Sequence, residues 1–137
     1  MPTLGPDDAR ARFAAARVAR LGTASATGEP HLVPVVFAVV DDRVLIAIDQ
    51  KPKRTRDLRR LRNIEANPTV SLLVDVYSDD WSALWWVRAD GRASVREDLL
   101  GEALPLLGAR YPQHAADPPQ GPVIEVAVAR WSGWSAS

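Results

Sequence analysis

The chain has 137 residues, 47% hydrophobic and 25% charged, with seventeen basic side chains balanced by seventeen acidic ones. That length fits one domain with a core of its own. The even charge argues against a general nucleic-acid binder, and no apolar run reaches the roughly 20 residues of a membrane span.

The absence of cysteine removes disulfides and thiolate nucleophiles from consideration, and the two histidines, His31 and His114, lie far apart with no metal or triad signature. Redox or group-transfer chemistry would then belong to a bound organic cofactor, with the protein supplying position and electrostatics. The first residues lack a basic stretch leading into an apolar one, so a cytoplasmic location is the expectation.

Asp7 and Asp8 precede a run of strong helix formers, which predicts a short amphipathic helix over residues 9–18. Residues 18–24 read as a first strand, and Thr27, Gly28, Glu29 and Pro30 as a turn. Residues 31–40 are apolar on both faces and predict one buried strand. Pro34 interrupts it, and proline in a sheet belongs at an edge or a bulge, where free backbone can approach a flat ligand. Asp41, Asp42 and Arg43 predict a hairpin into a strand over residues 44–49.

Directly after that strand comes the most charged stretch of the chain: Lys51, Lys53, Arg54, Arg56, Arg59, Arg60 and Arg62 against the single acid Asp57. Lys51 and Lys53 are the only lysines in the protein. Thr55 is placed to cap a helix that buries Leu58, Leu61 and Ile64. Free N–H groups and the dipole at such a helix start attract an anion, and cations there are costly without one. Lys51, Lys53, Arg54 and Thr55 therefore read as a phosphate cradle. Arg59, Arg60 and Arg62 read more simply as solvated helix cations. A lone phosphate would bind weakly, since two or three charge-assisted contacts of about 1.5–3 kcal/mol each must offset immobilisation. The ligand needs an apolar part as well.

Asn67 and Pro68 mark a turn before an alternating strand over residues 69–77, with Val70, Leu72, Val74 and Val76 on its apolar face. Ser78, Asp79 and Asp80 break it. The next strand, over residues 82–95, puts odd positions such as Trp85, Val87 and Ala89 inward, leaving Trp86 as a large aromatic on the polar side. A helix over residues 97–110 is weakened by Gly101 and Pro105. Residues 111–122 read as a Pro-rich loop, 123–131 as a last strand, and 131–137 as a trailing end. The total is six strands and two or three short helices, a mainly β (α+β) chain suited to an antiparallel barrel with a helix against it.

The order of hairpin, basic turn, helix and Asn67-Pro68 strand resembles the pyridoxamine 5'-phosphate oxidase-like split β-barrel proteins. The likeness runs over residues 13–134 and is strongest over 49–74. Residues 81–91 and the final Trp131, Ser132, Gly133 and Trp134 are similar to a branch that uses coenzyme F420, an 8-hydroxy-5-deazaflavin.

The resemblance implies a six-stranded antiparallel split barrel of the FMN-binding type, forming a homodimer with the cofactor in a groove between subunits. It assigns the cofactor phosphate to Lys51, Lys53, Arg54 and Thr55, and ring contacts to the backbone of Val33, Pro34, Val35 and Val36. Ile48, Asp49 and Gln50 would line the passage between, and Trp81 and Trp85 would come from the partner subunit, although the alternation makes Trp85 equally a core residue. The family's pyridoxamine phosphate oxidases end in an arginine-bearing segment. This chain has no arginine after Arg130, so that substrate is not expected.

Both FMN and F420 join a ring to a phosphate. The carboxylate-rich tail of F420 would meet Arg56, Arg59 and Arg60, which favours the deazaflavin. The expected activity is hydride transfer between F420 and a small conjugated substrate beside Trp81 and Trp86, with no side chain singled out as acid or base. An FMN-binding relative and a non-catalytic flavin or tetrapyrrole carrier are the alternatives.

Overall fold

The computed structural model describes residues 3–49 and 58–137. Its elements are β1 (Thr3–Leu4), α1 (Pro6–Ala15), β2 (Ala19–Ala24), β3 (Pro30–Val35), β4 (Ala38–Val40), β5 (Arg43–Ala47), α2 (Arg59–Ala66), β6 (Thr69–Val76), β7 (Trp85–Arg96), α3 (Leu100–Arg110), α4 (Pro112–Ala116) and β8 (Val123–Ser135). The strands form one antiparallel sheet in the order β3-β2-β6-β7-β8-β5-β4, with β1 added against β8.

β3 and β4 stand at opposite ends of this path, yet only Val36 and Phe37 separate them in the chain. A sheet whose two edges are tied by two residues must curl until those edges meet. The closure is covalent, because β3 pairs only with β2, and β4 only with β5. This is the expected split barrel, with eight strands instead of six. One addition is β1; the other comes from dividing the predicted strand over residues 31–40.

The division has a visible cause. Phe37 is fully buried, its ring 4.9 Å from Phe13. Its N–H donates to the Tyr111 hydroxyl at 3.3 Å and its carbonyl lies 3.2 Å from the same oxygen, so the buried Phe37 N–H is satisfied without a ladder. The expectation that residues 31–40 are buried on both faces fails for β3: Pro34 is exposed and Leu32 is 73% exposed. Nothing covers the outer side of this edge strand among the described residues, as the proline implied.

The main core gathers Phe13, Leu21, Phe37, Ile48, Leu61, Leu72, Val87 and Trp131 inside the barrel. A second cluster lies under α3, where Leu107, Ala103 and Tyr111 meet Leu45 and Val123. In β6 and β7 the alternation holds where Val70, Leu72 and Val74 are buried opposite Gly91, Ala89 and Val87, but Val76, expected on the same face, is exposed at the end of β6.

Other boundaries moved. The helix expected after a Thr55 cap begins at Arg59, with Leu58 extended at the N-cap and Leu61, Asn63 and Ile64 buried. β7 starts at Trp85 because a short 3-10 turn, Trp81–Ala83, precedes it, capped by Asp80 accepting from the Ser82 N–H at 3.1 Å; Ala83 is exposed, not inward. α4 occupies part of the expected loop at 111–122. The end expected to trail from Trp131 stays in β8 to Ser135. Gly133 makes this possible, since a Cβ there would sit 2.7 Å from the Trp86 carbonyl oxygen.

Candidate functional site

β4 and β5 pair as Ala38↔Leu45, Val39↔Val44 and Val40↔Arg43. At Val36 and Phe37 the chain leaves this pair, and β3 pairs instead with β2, Val35 opposite Ala19 and Pro34 opposite Arg20. Val35 and Ile48 are both buried in the main core, and Val33 packs against it. Val36 packs on the second cluster, while Pro34 and Asp49 are exposed. Ile48 is pinned by its N–H to the Pro122 carbonyl at 2.9 Å and by its carbonyl to the Gly121 N–H at 3.0 Å. The structure thus places Val33, Val35 and Ile48 at the main core and Val36 at the second cluster, with Pro34 and Asp49 on the surface, where the expected slot between β3 and the end of β5 would open.

The remaining passage residue, Gln50, and the phosphate residues Lys51, Lys53, Arg54 and Thr55 lie outside the described residues. Their chain neighbours are placed: Asp49 closes the exit from β5, and α2 opens at Arg59. Arg59 pairs with Glu29 at 3.3 Å on the surface. Arg60, next in the first turn of α2, differs: its Nε is buried without a hydrogen-bond partner, and burial lowers its pKa from the ordinary arginine value. A buried guanidinium nitrogen with no hydrogen-bond partner among the described residues is unfavourable alone and is relieved by an anion. The residues present thus fit a phosphate-bearing group at this junction.

Trp81 is 70% exposed on the 3-10 turn. Trp85 is half-buried against the main core, with the Arg12 guanidinium 5.2 Å from its ring, which agrees with the inward reading from alternation. Trp86, across from Asp75 and Trp134, faces outward beneath Arg88. Asp75, Val76, Tyr77, Leu84 and these three tryptophans, Trp85, Trp86 and Trp134, line a cavity of about 410 Å3. Sequence reasoning marked Trp86 and missed Tyr77, Leu84 and Trp134; the outward parity of β6 and β7 carried the signal.

Several charges elsewhere are engaged in packing. Arg43 bridges Glu102 and Glu125, and this hydrogen bonding holds the Glu102 carboxyl below its usual range. Asp42 accepts from Trp131 Nε1 at 2.9 Å and from Arg10 at 3.1 Å, which lowers its pKa. Among the described residues no group of three His, Asp or Glu could hold a metal ion, and no helix is long and apolar enough to cross a membrane.

Solved structures share this architecture. A conserved hypothetical protein of Mycobacterium tuberculosis superposes with a TM-score of 0.78 at 19% identity, covering 97% of this chain and 86% of its own. A FAD-binding protein of Mesorhizobium loti gives 0.75 at 24% identity, covering 96% and 93%. HutZ, the heme storage protein of Vibrio cholerae, gives 0.67 at 20% identity, covering 91% and 89%. No curated protein sequence matches. At these identities the likeness concerns the fold, whereas the family model for pyridoxamine 5'-phosphate oxidase matches residues 6–135, nearly the whole chain. With that match and a barrel whose edges are tied at Val36 and Phe37, the chain belongs to the pyridoxamine 5'-phosphate oxidase family.

Proposed function

We propose that this protein binds a phosphorylated flavin-type cofactor, with the ring against β3 at the slot and the phosphate at the β5–α2 junction. The observation that supports the reading is the buried Nε of Arg60, without a partner among the described residues, in the first turn of the helix that follows the basic stretch of Lys51, Lys53 and Arg54 in the sequence. Lys51, Lys53, Arg54 and Thr55 would hold the phosphate. Val33 to Val36 would present backbone to the ring, and Ile48, Asp49 and Gln50 would line the way between them. A bound flavin or deazaflavin supplies hydride transfer, and the protein's part is to orient it and exclude water.

The FAD-binding similarity favours a flavin. The finer reading, an F420-dependent oxidoreductase acting on a small conjugated substrate, rests on Arg56, Arg59 and Arg60 as partners for a polyanionic tail. In that reading a second copy of the chain completes the site with Trp81, whose exposed ring is suited to such a contact. A non-catalytic carrier is the second reading, favoured by the likeness to a heme storage protein.

Titration of the full chain with FMN, FAD, F420 and heme, followed by absorption and fluorescence, tests the proposal. A perturbed flavin or deazaflavin band at one cofactor per chain is the expected result. Binding of heme alone would overturn it. Turnover of the reduced cofactor with quinones or enones then separates enzyme from carrier.

A further inference from the structure

Between the C-terminal turn of α1 and the adjoining ends of β6 and β7 lies a groove of about 490 Å3. Val18, Val74 and Val76 form its floor, Trp85 one wall, and Arg12 and Arg17 the side made by α1 and the residues after it. Val18 and Val76 are 42% and 40% exposed, an apolar floor open to water. The volume lies within the range of small-molecule sites, which combine apolar lining with a few fixed polar groups.

Both cations are held in place. Arg12 lies over Trp85 at 5.2 Å and, unlike Arg10, Arg43, Arg88 and Arg96, faces no carboxylate among the described residues. Arg17 also lines the groove, but its guanidinium is stacked 4.7 Å over Tyr111 and donates to the Arg110 carbonyl, outside the groove lining, so it contributes positive charge from the side. The dipole at the end of α1 accounts for positive charge at this place. It does not account for a guanidinium laid along an aromatic wall above exposed valines.

We propose that this groove binds a small organic monoanion, a carboxylate carried on a flat or aliphatic apolar body. The guanidinium fork of Arg12 matches a carboxylate in two parallel hydrogen bonds, and Arg17 adds only longer-range positive potential. The valines and Trp85 take the apolar body. Asp75, exposed on the opposite rim, repels a second negative charge and selects a monoanion over a dianion. The proposal takes Trp85 as part of its own chain's core wall and not as a partner contact, uses none of the ring or phosphate residues of the flavin reading, and is tested without a cofactor, so the two fail separately.

The test titrates the full-length, cofactor-free protein with 2-naphthoate and with neutral 2-naphthalenemethanol, following backbone amide and tryptophan indole N–H resonances. Naphthoate is expected to saturate with shifts centred on the Trp85 indole and the amides of Val18 and Val76, and to bind at least about tenfold tighter than the alcohol. Arg12→Gln is expected to remove that advantage, and Arg12→Lys to retain part of it, with amide spectra outside the groove unchanged. Equal affinity for acid and alcohol in the wild type, shifts centred elsewhere, or naphthoate binding indifferent to Arg12→Gln would each overturn the assignment.

Discussion

Replacing Tyr111 by Phe removes one hydroxyl at the kink that joins the two edges of the barrel. That oxygen accepts from the Phe37 N–H at 3.3 Å and from Arg110 at 3.1 Å, and lies 3.2 and 3.1 Å from the carbonyls of Phe37 and Arg17, to one of which it donates. Phe37 is fully buried and Tyr111 nearly so, so water does not take the place of the hydroxyl. A buried N–H left unpaired costs about 1–3 kcal/mol. Arg110 still reaches the Ala14 and Ala16 carbonyls, which keeps its share small, and the aromatic ring continues to pack. The variant should lose about 2 kcal/mol, or roughly 5–10 °C in Tm for a chain of this size. Urea unfolding by tryptophan fluorescence should show a lower midpoint with unchanged slope, and the Phe37 amide should exchange faster. A loss under about 0.5 kcal/mol with unaltered exchange would refute the view that this hydroxyl pins the kink.

Three further outcomes are expected. Gly91→Ala puts a Cβ 2.2 Å from the Ala127 carbonyl oxygen at the β7–β8 bulge; because backbone cannot shift cheaply in a central pair, urea unfolding should report a loss of about 1–3 kcal/mol or more. Arg60→Met should leave the cofactor-free protein as stable or slightly more so, because it removes a partly buried cation whose Nε has no partner among the described residues, while weakening binding of the phosphorylated cofactor in a direct titration. Hydrogen bonding to Arg43 lowers the Glu102 carboxyl in the folded state, so its contribution is present above the ordinary glutamate range and disappears as pH falls through the folded value. The gap in urea midpoint between wild type and Glu102→Gln should therefore be steady near neutrality and close in acid; a gap that widens in acid would contradict the linkage.

What the chain revealed in advance follows from where local pattern and tertiary packing agree. Val70, Leu72 and Val74 alternate against wet positions, so one face had to be core, and β6 with β7 was legible to within a few residues. The edge position of β3 was legible from Pro34, since a missing N–H excludes a central strand. The break at Val36 and Phe37 was not, because both are apolar and in phase; its partner, Tyr111, lies 74 positions away. The last turn of β8 was hidden for a similar reason: Ser132, Gly133 and Ser135 have little strand propensity and are held there by close approach to β7. The burial of Val35 and Ile48 could be anticipated because both are apolar positions of runs expected to be strands. The groove beneath Arg12 could not, since α1 meets the ends of β6 and β7 only in the folded barrel.

Phosphate recognition at the β5–α2 junction is tested most directly by comparing each phosphorylated cofactor with its phosphate-free riboside, FMN with riboflavin and F420 with its deazaflavin riboside. Calorimetry on wild type and on Lys53→Ala/Arg54→Ala gives the four affinities needed for each pair. The wild type should prefer at least one phosphorylated form by about 2–4 kcal/mol, two charge-assisted contacts, and the double variant should lose that preference while retaining its affinity for the riboside. Equal preference in both proteins would contradict the account.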